Sequence, residues 1–183
     1  MNKLTRTFLV KELPAIEGCT IETWITGYIS FLPLVYIEKQ GEDYLFLAEV
    51  SGNKNRVRLT EQIFYQNISQ LASNAIVKKR VFMPSHSTEA IYLNIYQEQL
   101  LGLVTVEVEF VCKEKLETFV APDWFGEEIT DDMHYRAQSL VAMTTEDIKK
   151  LQMNDIESWN QRLAQISGIA SSMESMDKKP KQK

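Results

Sequence analysis

Short apolar runs separated by polar turns carry the pattern of the chain as far as Cys112. Residues 3–10 form the first such segment. Residues 21–31 follow, rich in Ile, Thr, Trp, Tyr and Phe, the β-branched and aromatic types that suit a pleated surface. Leu34–Glu38 and Asp43–Val50 flank Lys39-Gln40-Gly41-Glu42, a hairpin turn with its glycine, and Ser51–Asn55 forms the next turn before Arg56–Thr60. Strands resume at Ile76–Met83, Ala90–Tyr96 and Leu103–Cys112, with residues 97–102 turning between the last two. Short strands separated by polar Gly/Asn turns predict an antiparallel sandwich or barrel. One run breaks the pattern: Ile63, Phe64, Ile68 and Leu71 recur at helical spacing, which predicts a helix over Glu61–Ala72.

The texture changes at Thr144. Thr144 and Asp147 resemble a capping box with the shorter acid at its end. Ile148, Leu151, Ile156, Trp159, Leu163, Ile166, Ala170 and Met173 then follow mostly at three- and four-residue steps, an amphipathic helical region with a break near Asn154-Asp155. Its apolar stripe is expected against the protein's own domain, with a homodimer through this helix as the alternative. Residues 177–183 carry four lysines and a proline and read as a disordered basic tail. The expected organisation is therefore a domain over 1–142, a helical extension over 143–174, and a tail over 175–183.

At 183 residues and 44% hydrophobic, the chain has the mass for one buried core. A charged fraction of 25% with 10% aromatics excludes wholesale disorder. The net charge of −5 argues against a nucleic-acid partner, since such binders carry a basic excess. Two cysteines, Cys19 and Cys112, are too few for a disulfide scaffold or a thiolate zinc site. No apolar run approaches the roughly 20 residues that span a bilayer, and residues 1–10 lack the apolar core of a signal peptide. A cytoplasmic protein without a membrane partner is expected.

Candidate chemistry concentrates in two strands. In Leu103–Val111, Val104, Val106, Val108 and Phe110 take one face, and Thr105, Glu107 and Glu109 take the other. Two carboxylates at i and i+2 project side by side and could hold a divalent cation through hard oxygen ligands, or simply form a solvated face. Lys78 and Arg80 form a cationic pair at the same spacing. His86 and His134 are isolated, and no second histidine or cysteine stands at ligand spacing. Cys112 reads as a core thiol, Trp24 and Trp124 as packing anchors, and Asp131 and Asp132 as a turn or cap. A glycine-rich phosphate loop is absent.

The order of these pieces resembles a known family. Ile91–Tyr96, then Leu101-Gly102-Leu103 leading into Glu107 and Glu109, then Pro122-Asp123-Trp124-Phe125-Gly126-Glu127-Glu128-Ile129-Thr130-Asp131-Asp132 with Tyr135, is similar to the C-terminal half of the CYTH domain of the triphosphate tunnel metalloenzymes. That family shows a "GL-x-x-x-E-x-E" strand followed by "P-x-W-x-G-x-E-V-T-D-D-x-x-Y". Phe8-Leu9-Val10 matches the end of its opening strand and Gly27-Tyr28-Ile29 its "Q-G-Y-L" stretch, so the likeness covers roughly residues 3–142. It implies an α+β, mainly β fold: an eight-stranded, closed antiparallel tunnel barrel with flanking helices, here with a C-terminal helical extension. It also implies a lumen that binds a triphosphate with Mg²⁺ or Mn²⁺, hydrolysing triphosphate, nucleoside triphosphates or thiamine triphosphate, or cyclising ATP.

The first half departs from that pattern. Aligned on Phe8-Leu9-Val10, the opening "E-x-E-x-K" is replaced by Lys3, Thr5 and Thr7. The arginine pair falls at Tyr36 and Glu38, the glutamine at Thr26, and the "L-T-I-K" lysine at Ala48. "R-x-E-x-E" keeps Arg56 but meets Arg58 and Thr60, and the strand aspartate becomes Asn94. Lys78, Arg80 and Arg58 are left as phosphate-binding candidates, and Glu107 and Glu109 as metal ligands. Each missing charged contact forfeits about 1.5–3 kcal/mol, against roughly 8 kcal/mol for an entire micromolar affinity. The expectation is a degenerate tunnel, a pseudoenzyme acting as a binding or protein-interaction module for a phosphorylated small molecule or a protein, with no confident cofactor. The alternative is a divergent Mg- or Mn-dependent phosphohydrolase of triphosphate, polyphosphate or nucleotides that uses the surviving Lys78, Arg80, Glu107 and Glu109.

Overall fold

A computed structural model describes residues 4–84 and 89–152, together with 164, 165 and 168. Nine strands form one sheet: β1 (Leu4–Val10), β2 (Thr20–Phe31), β3 (Leu34–Gln40), β4 (Asp43–Val50), β5 (Asn53–Arg58), β6 (Ala75–Met83), β7 (Ala90–Tyr96), β8 (Val104–Phe110) and β9 (Phe125–Glu128). Their order is β5-β4-β3-β2-β6-β7-β8-β1-β9, and every pairing is antiparallel. The α-helices that the described residues form as continuous segments are α1 (Glu61–Ile68), α2 (Lys113–Thr118), α3 (Ala137–Leu140) and α4 (Thr145–Gln152).

Two expectations about the barrel are corrected. Among the described residues there are nine strands, because the four residues of β9 add to the far side of β1; so short a segment shows no alternation in sequence. The sheet is also not closed by hydrogen bonds, since no ladder joins β5 to β9. β5 is exposed along its whole length and carries Lys54, Arg56 and Arg58, a charged edge that resists pairing.

Smaller boundary differences have local causes. Ser51 and Gly52 both take positive φ (50° and 77°), so the turn is tight and β5 begins at Asn53, earlier than expected. Thr60 is then the N-cap of α1, its hydroxyl accepting from the Ile63 amide at 3.3 Å. The α-helix stops at Ile68, and Ser69–Asn74 continues as a 3₁₀ turn. The last long strand is Val104–Phe110, which leaves Cys112 exposed at the start of α2. It is not a core thiol.

The sheet has two apolar regions on its outer face. Val104, Val106 and Val108 are fully buried there with Phe8, Val10, Val81, Leu93 and Ile95, and Leu116, Phe119 and Trp124 pack over them. Further along, Phe64 of α1 is fully buried against Ile37 and Tyr44. α1 and its 3₁₀ extension lie close because β2 has Gly27 beneath them: an added Cβ would run into the Ile68 side chain and approach Leu71. Gly27→Val is expected to cost about 1–3 kcal/mol, read as a lowered urea midpoint.

A third cluster lies on the opposite, inner face. Ile76, Tyr96, Leu100 and Leu103 pack with Leu140 and Ile148, joined by Leu9, Tyr28 and Tyr135. The segment from Tyr135 to Ile148 therefore covers one end of the inner face. α4 starts where the sequence places it. The Thr144 amide and hydroxyl both donate to Asp147 Oδ2 (3.0 and 2.7 Å), and the Asp147 amide donates back to Thr144 Oγ1 (3.3 Å). The Thr145 hydroxyl donates to the Gln99 carbonyl at 3.1 Å. Ile156, Trp159, Leu163, Ile166, Ala170, Met173 and the basic tail lie outside the described residues, as does Lys3. No helix among the described residues is long and apolar enough to cross a membrane.

Candidate functional site

Register determines which side chains share the inner face. Arg80 of β6 stands opposite Glu22 of β2 and Asn94 of β7, and Asn94 stands opposite Thr105 of β8. One row along, Trp24, Lys78 and Tyr96 are aligned across the same three inner strands. Tyr92 opposes Glu107, and Thr7 and Thr5 of β1 oppose Glu107 and Glu109. Because successive side chains alternate, all of these project to one side of the sheet, away from the valine-rich core.

Arg80 organises the group. Its Nη2 donates to Glu107 Oε1 at 3.1 Å and to Glu109 Oε1 at 3.5 Å, and Nη1 donates to Glu107 Oε2 at 3.4 Å. Its guanidinium carbon lies 3.9 Å from the Tyr92 ring centroid and 4.6 Å from that of Trp24, a stacked cation–π arrangement. The Arg80 side chain is 5% exposed; those of Glu107 and Glu109 are 25% and 18% exposed. The cation is thus compensated on every side, as burial demands. Trp24 is held in turn by its indole N–H, which donates to Glu22 Oε2 at 3.0 Å.

Lys78 sits 5.6 Å from the Trp24 ring and 5.8 Å from the Tyr96 ring. Burial pushes its amine down to about 8, with Glu107 opposing the shift and Arg80 adding to it. Burial likewise raises the Tyr96 hydroxyl to about 12. On β2 and β3, the Thr26 hydroxyl donates to Glu38 Oε1 at 3.0 Å and the Gln40 amide donates to the other oxygen. Burial and Glu38 together raise Tyr28.

Of the five candidates, Lys78, Arg80, Glu107 and Glu109 converge. Arg58 does not join them: it lies on the exposed edge strand, 77% exposed, with Asp43 at 2.9 Å. His134 pairs locally with Asp132 at 2.8 Å, and Asp132 caps its own turn, accepting from the His134 amide. Sequence reasoning missed the aromatic part of the site. Trp24 is no mere packing anchor, and Tyr92, inside the Ile91–Tyr96 run, stacks on the same guanidinium. Strand parity was the available signal, because both fall at positions that face Lys78 or Arg80.

The inner faces of β2, β3, β6, β7 and β8 thus carry four carboxylates (Glu22, Glu38, Glu107, Glu109) against two cations (Lys78, Arg80). A divalent cation would find only Glu107 and Glu109 side by side, since the described residues contain no group of three His, Cys, Asp or Glu able to hold one. Asn94 adds an oxygen: it is 1% exposed and its Oδ1 has no hydrogen-bond partner among the described residues. This donor set is too small for a resident all-protein cage. It does suit Mg²⁺ or Mn²⁺, which are commonly held by one or two carboxylates plus phosphate oxygens.

The chain is 28% identical over 148 residues to an inorganic triphosphatase of Nitrosomonas europaea, spanning 76% of this chain and 97% of that protein. Two solved structures of NE1496 share its fold. One, described as a hypothetical protein, has a TM-score of 0.68 and covers 78% of this chain and 99% of its own. The other, described as an inorganic triphosphatase, has a TM-score of 0.67 and covers 77% and 95%. Both are 22% identical to this chain. No family model matches it.

Proposed function

We propose that this chain, a CYTH-type protein of the triphosphate tunnel fold, is a phosphohydrolase that cleaves inorganic triphosphate with the help of a divalent cation. The observation that carries the reading is the convergence of Lys78, Arg80, Glu107 and Glu109 on one inner face, in a chain whose sequence relative is an inorganic triphosphatase. That relative favours turnover over the binding-only reading suggested by the altered first half.

Glu107 and Glu109 would hold the cation, which when bound screens phosphate charge and supplies an activated water. Lys78 and Arg80 bind the phosphate oxygens, Arg80 through its planar fork and Lys78 as a point charge. Trp24 and Tyr92 fix the plane of the fork. The Tyr135–Ile148 segment closes the apolar end of the inner face, so the phosphate chain lies in the polar part. Four carboxylates against two cations make a bare polyanion a poor ligand, so the cation is needed for binding as well as for chemistry.

Phosphate release from inorganic triphosphate tests the reading. Turnover with Mg²⁺ or Mn²⁺, abolished by chelation, is expected; no release from triphosphate or ATP with either metal overturns it.

Lys78 gives a pH signature. Its folded value near 8 lies below the ordinary 10.5, so between these limits the unfolded chain binds more protons and folding stability rises with pH. The anion grip moves the other way, because the charge on Lys78 is lost over the same window. kcat/KM for triphosphate, which reports the free protein's groups, is expected to fall as pH passes about 8. In Lys78→Arg that alkaline fall should move to higher pH.

A further inference from the structure

A small pocket adjoins the inner-face group. It lies between β1, β8 and the Ile129–Leu140 segment, has a volume of about 90 Å³, and is lined by Thr7, Tyr96, Thr105, Thr130, Asp132 and Arg136, with leucine and isoleucine between them. Tyr96 belongs to both places, since its ring also lies 5.8 Å from the Lys78 amine. Thr7 is the cross-strand neighbour of Glu107. The walls are tied together: the Ile129 amide donates to the Thr7 carbonyl at 2.8 Å, and the Thr7 amide donates to Thr130 Oγ1 at 3.0 Å. Arg136 is fixed through its backbone, because its carbonyl accepts from the Ser139 and Leu140 amides at 2.9 Å each, and Leu140 is buried in the apolar end of the inner face. Its side chain stays exposed at the pocket wall. The Asp132 carboxylate is engaged by His134, whose amide donates to Oδ1 at 2.9 Å and whose ring nitrogen lies 2.8 Å from it.

We infer that this pocket receives the outer phosphate of a three-phosphate chain, bound by the Arg136 guanidinium with the Thr7 and Tyr96 hydroxyls. For its ligand the inference rests on the phosphohydrolase reading. The lining is chemically suited to an anion, because a guanidinium and hydroxyls all donate to phosphate oxygens. Tyr96 remains a donor at working pH, since burial raises its hydroxyl to about 12. Size narrows the class further. About 90 Å³ is small beside the roughly 300 Å³ or more that encloses a drug-sized molecule, so a phosphate group enters and a nucleoside does not. Charge gives the pocket its purpose. Lys78 and Arg80 alone cannot balance three linked phosphates, and Arg136 adds a third cation beside the place where they converge. An exposed guanidinium leaves no buried charge unpaired while the pocket is empty. The pocket therefore discriminates by chain length: three phosphates reach from Lys78 and Arg80 into it, and two do not.

Binding of two chain lengths is the decisive measurement. Bis-methylene triphosphate and methylenediphosphonate, whose P–C–P bridges are not hydrolysed, are titrated with Mg²⁺ into the full-length wild type and Arg136→Met by calorimetry. The wild type is expected to bind the longer analogue about tenfold more tightly or better, the worth of one charge-assisted contact. Arg136→Met should lose that advantage while its affinity for the shorter analogue changes less than about twofold, and Arg136→Lys should restore part of it. Equal weakening toward both analogues, or none toward the longer one, overturns the pocket. Should Arg136→Met not fold, Thr7→Val takes its place, and a wild type without preference for the longer analogue overturns the pocket with no variant at all. Phosphate release from triphosphate is followed separately. Hydrolysis with no chain-length preference leaves the phosphohydrolase reading standing and removes the pocket. The expected preference without hydrolysis overturns the phosphohydrolase reading and leaves the pocket as a binding site. A wild type that neither binds nor hydrolyses overturns both.

Discussion

If the proposed hydrolysis of triphosphate holds, Glu107→Gln is expected to lower it by about 100- to 1,000-fold, the cost of roughly 2.7–4 kcal/mol of transition-state stabilisation, while the protein remains folded. Glu107 makes both of the shorter contacts to Arg80 and is the first carboxylate of the only adjacent inner-face pair among the described residues of β8. The amide keeps the shape of the side chain and removes its charge, so a single carboxylate is left for the cation. Phosphate release and thermal unfolding measured on the same preparation separate the effects. A variant that retains more than a tenth of wild-type turnover places the chemistry elsewhere. A variant that loses its cooperative unfolding shows a structural role instead.

Ile148→Ala is expected to destabilise the fold by about 3 kcal/mol, within the range for deleting a fully buried aliphatic side chain, and to lower Tm by about 10 °C for a chain of this size. Ile148 is 0% exposed, lodged among Leu100, Leu103 and Leu140 at the covered end of the inner face. Leu151 on the same short helix is 37% exposed, and Leu151→Ala should change stability by no more than about 0.5 kcal/mol. Equal effects from the two substitutions would mean that α4 is not seated as described.

Most of the sheet was legible in the sequence. β-Branched and aromatic runs between polar turns located eight strands, alternation divided the two faces of the Leu103–Val111 strand, and the resemblance implied a tunnel lined with acidic and basic side chains. What stayed hidden follows from what alternation cannot carry. β9 has four residues, too few for a periodic signal. Closure depends on whether two distant edges meet, and the Lys54, Arg56 and Arg58 edge shows its exposure only once the sheet is built. The Thr144–Asp147 cap was readable because it is local chemistry. The Trp24–Arg80–Tyr92 stack was not, since its members lie on three different strands and only register brings them together. The family resemblance made Arg58 a candidate third phosphate ligand; the structure puts it on the outermost strand, exposed and beside Asp43, apart from the other four candidates.

The separation of the two faces has a consequence for how such a protein can change over time. The side chains that give β6, β7 and β8 their cohesion, Val81, Leu93, Val104, Val106 and Val108, point away from the ligand side. The charged side chains of the candidate site, Lys78, Arg80, Glu107 and Glu109, point the other way, beside the separate apolar cluster at one end of the inner face. Threonine can therefore stand at Thr5 and Thr7, where the resemblance leads one to expect an acid and a lysine, without loosening the scaffold. A charge at the polar part of the inner face can therefore change without touching the valine-rich core on the other side of the sheet.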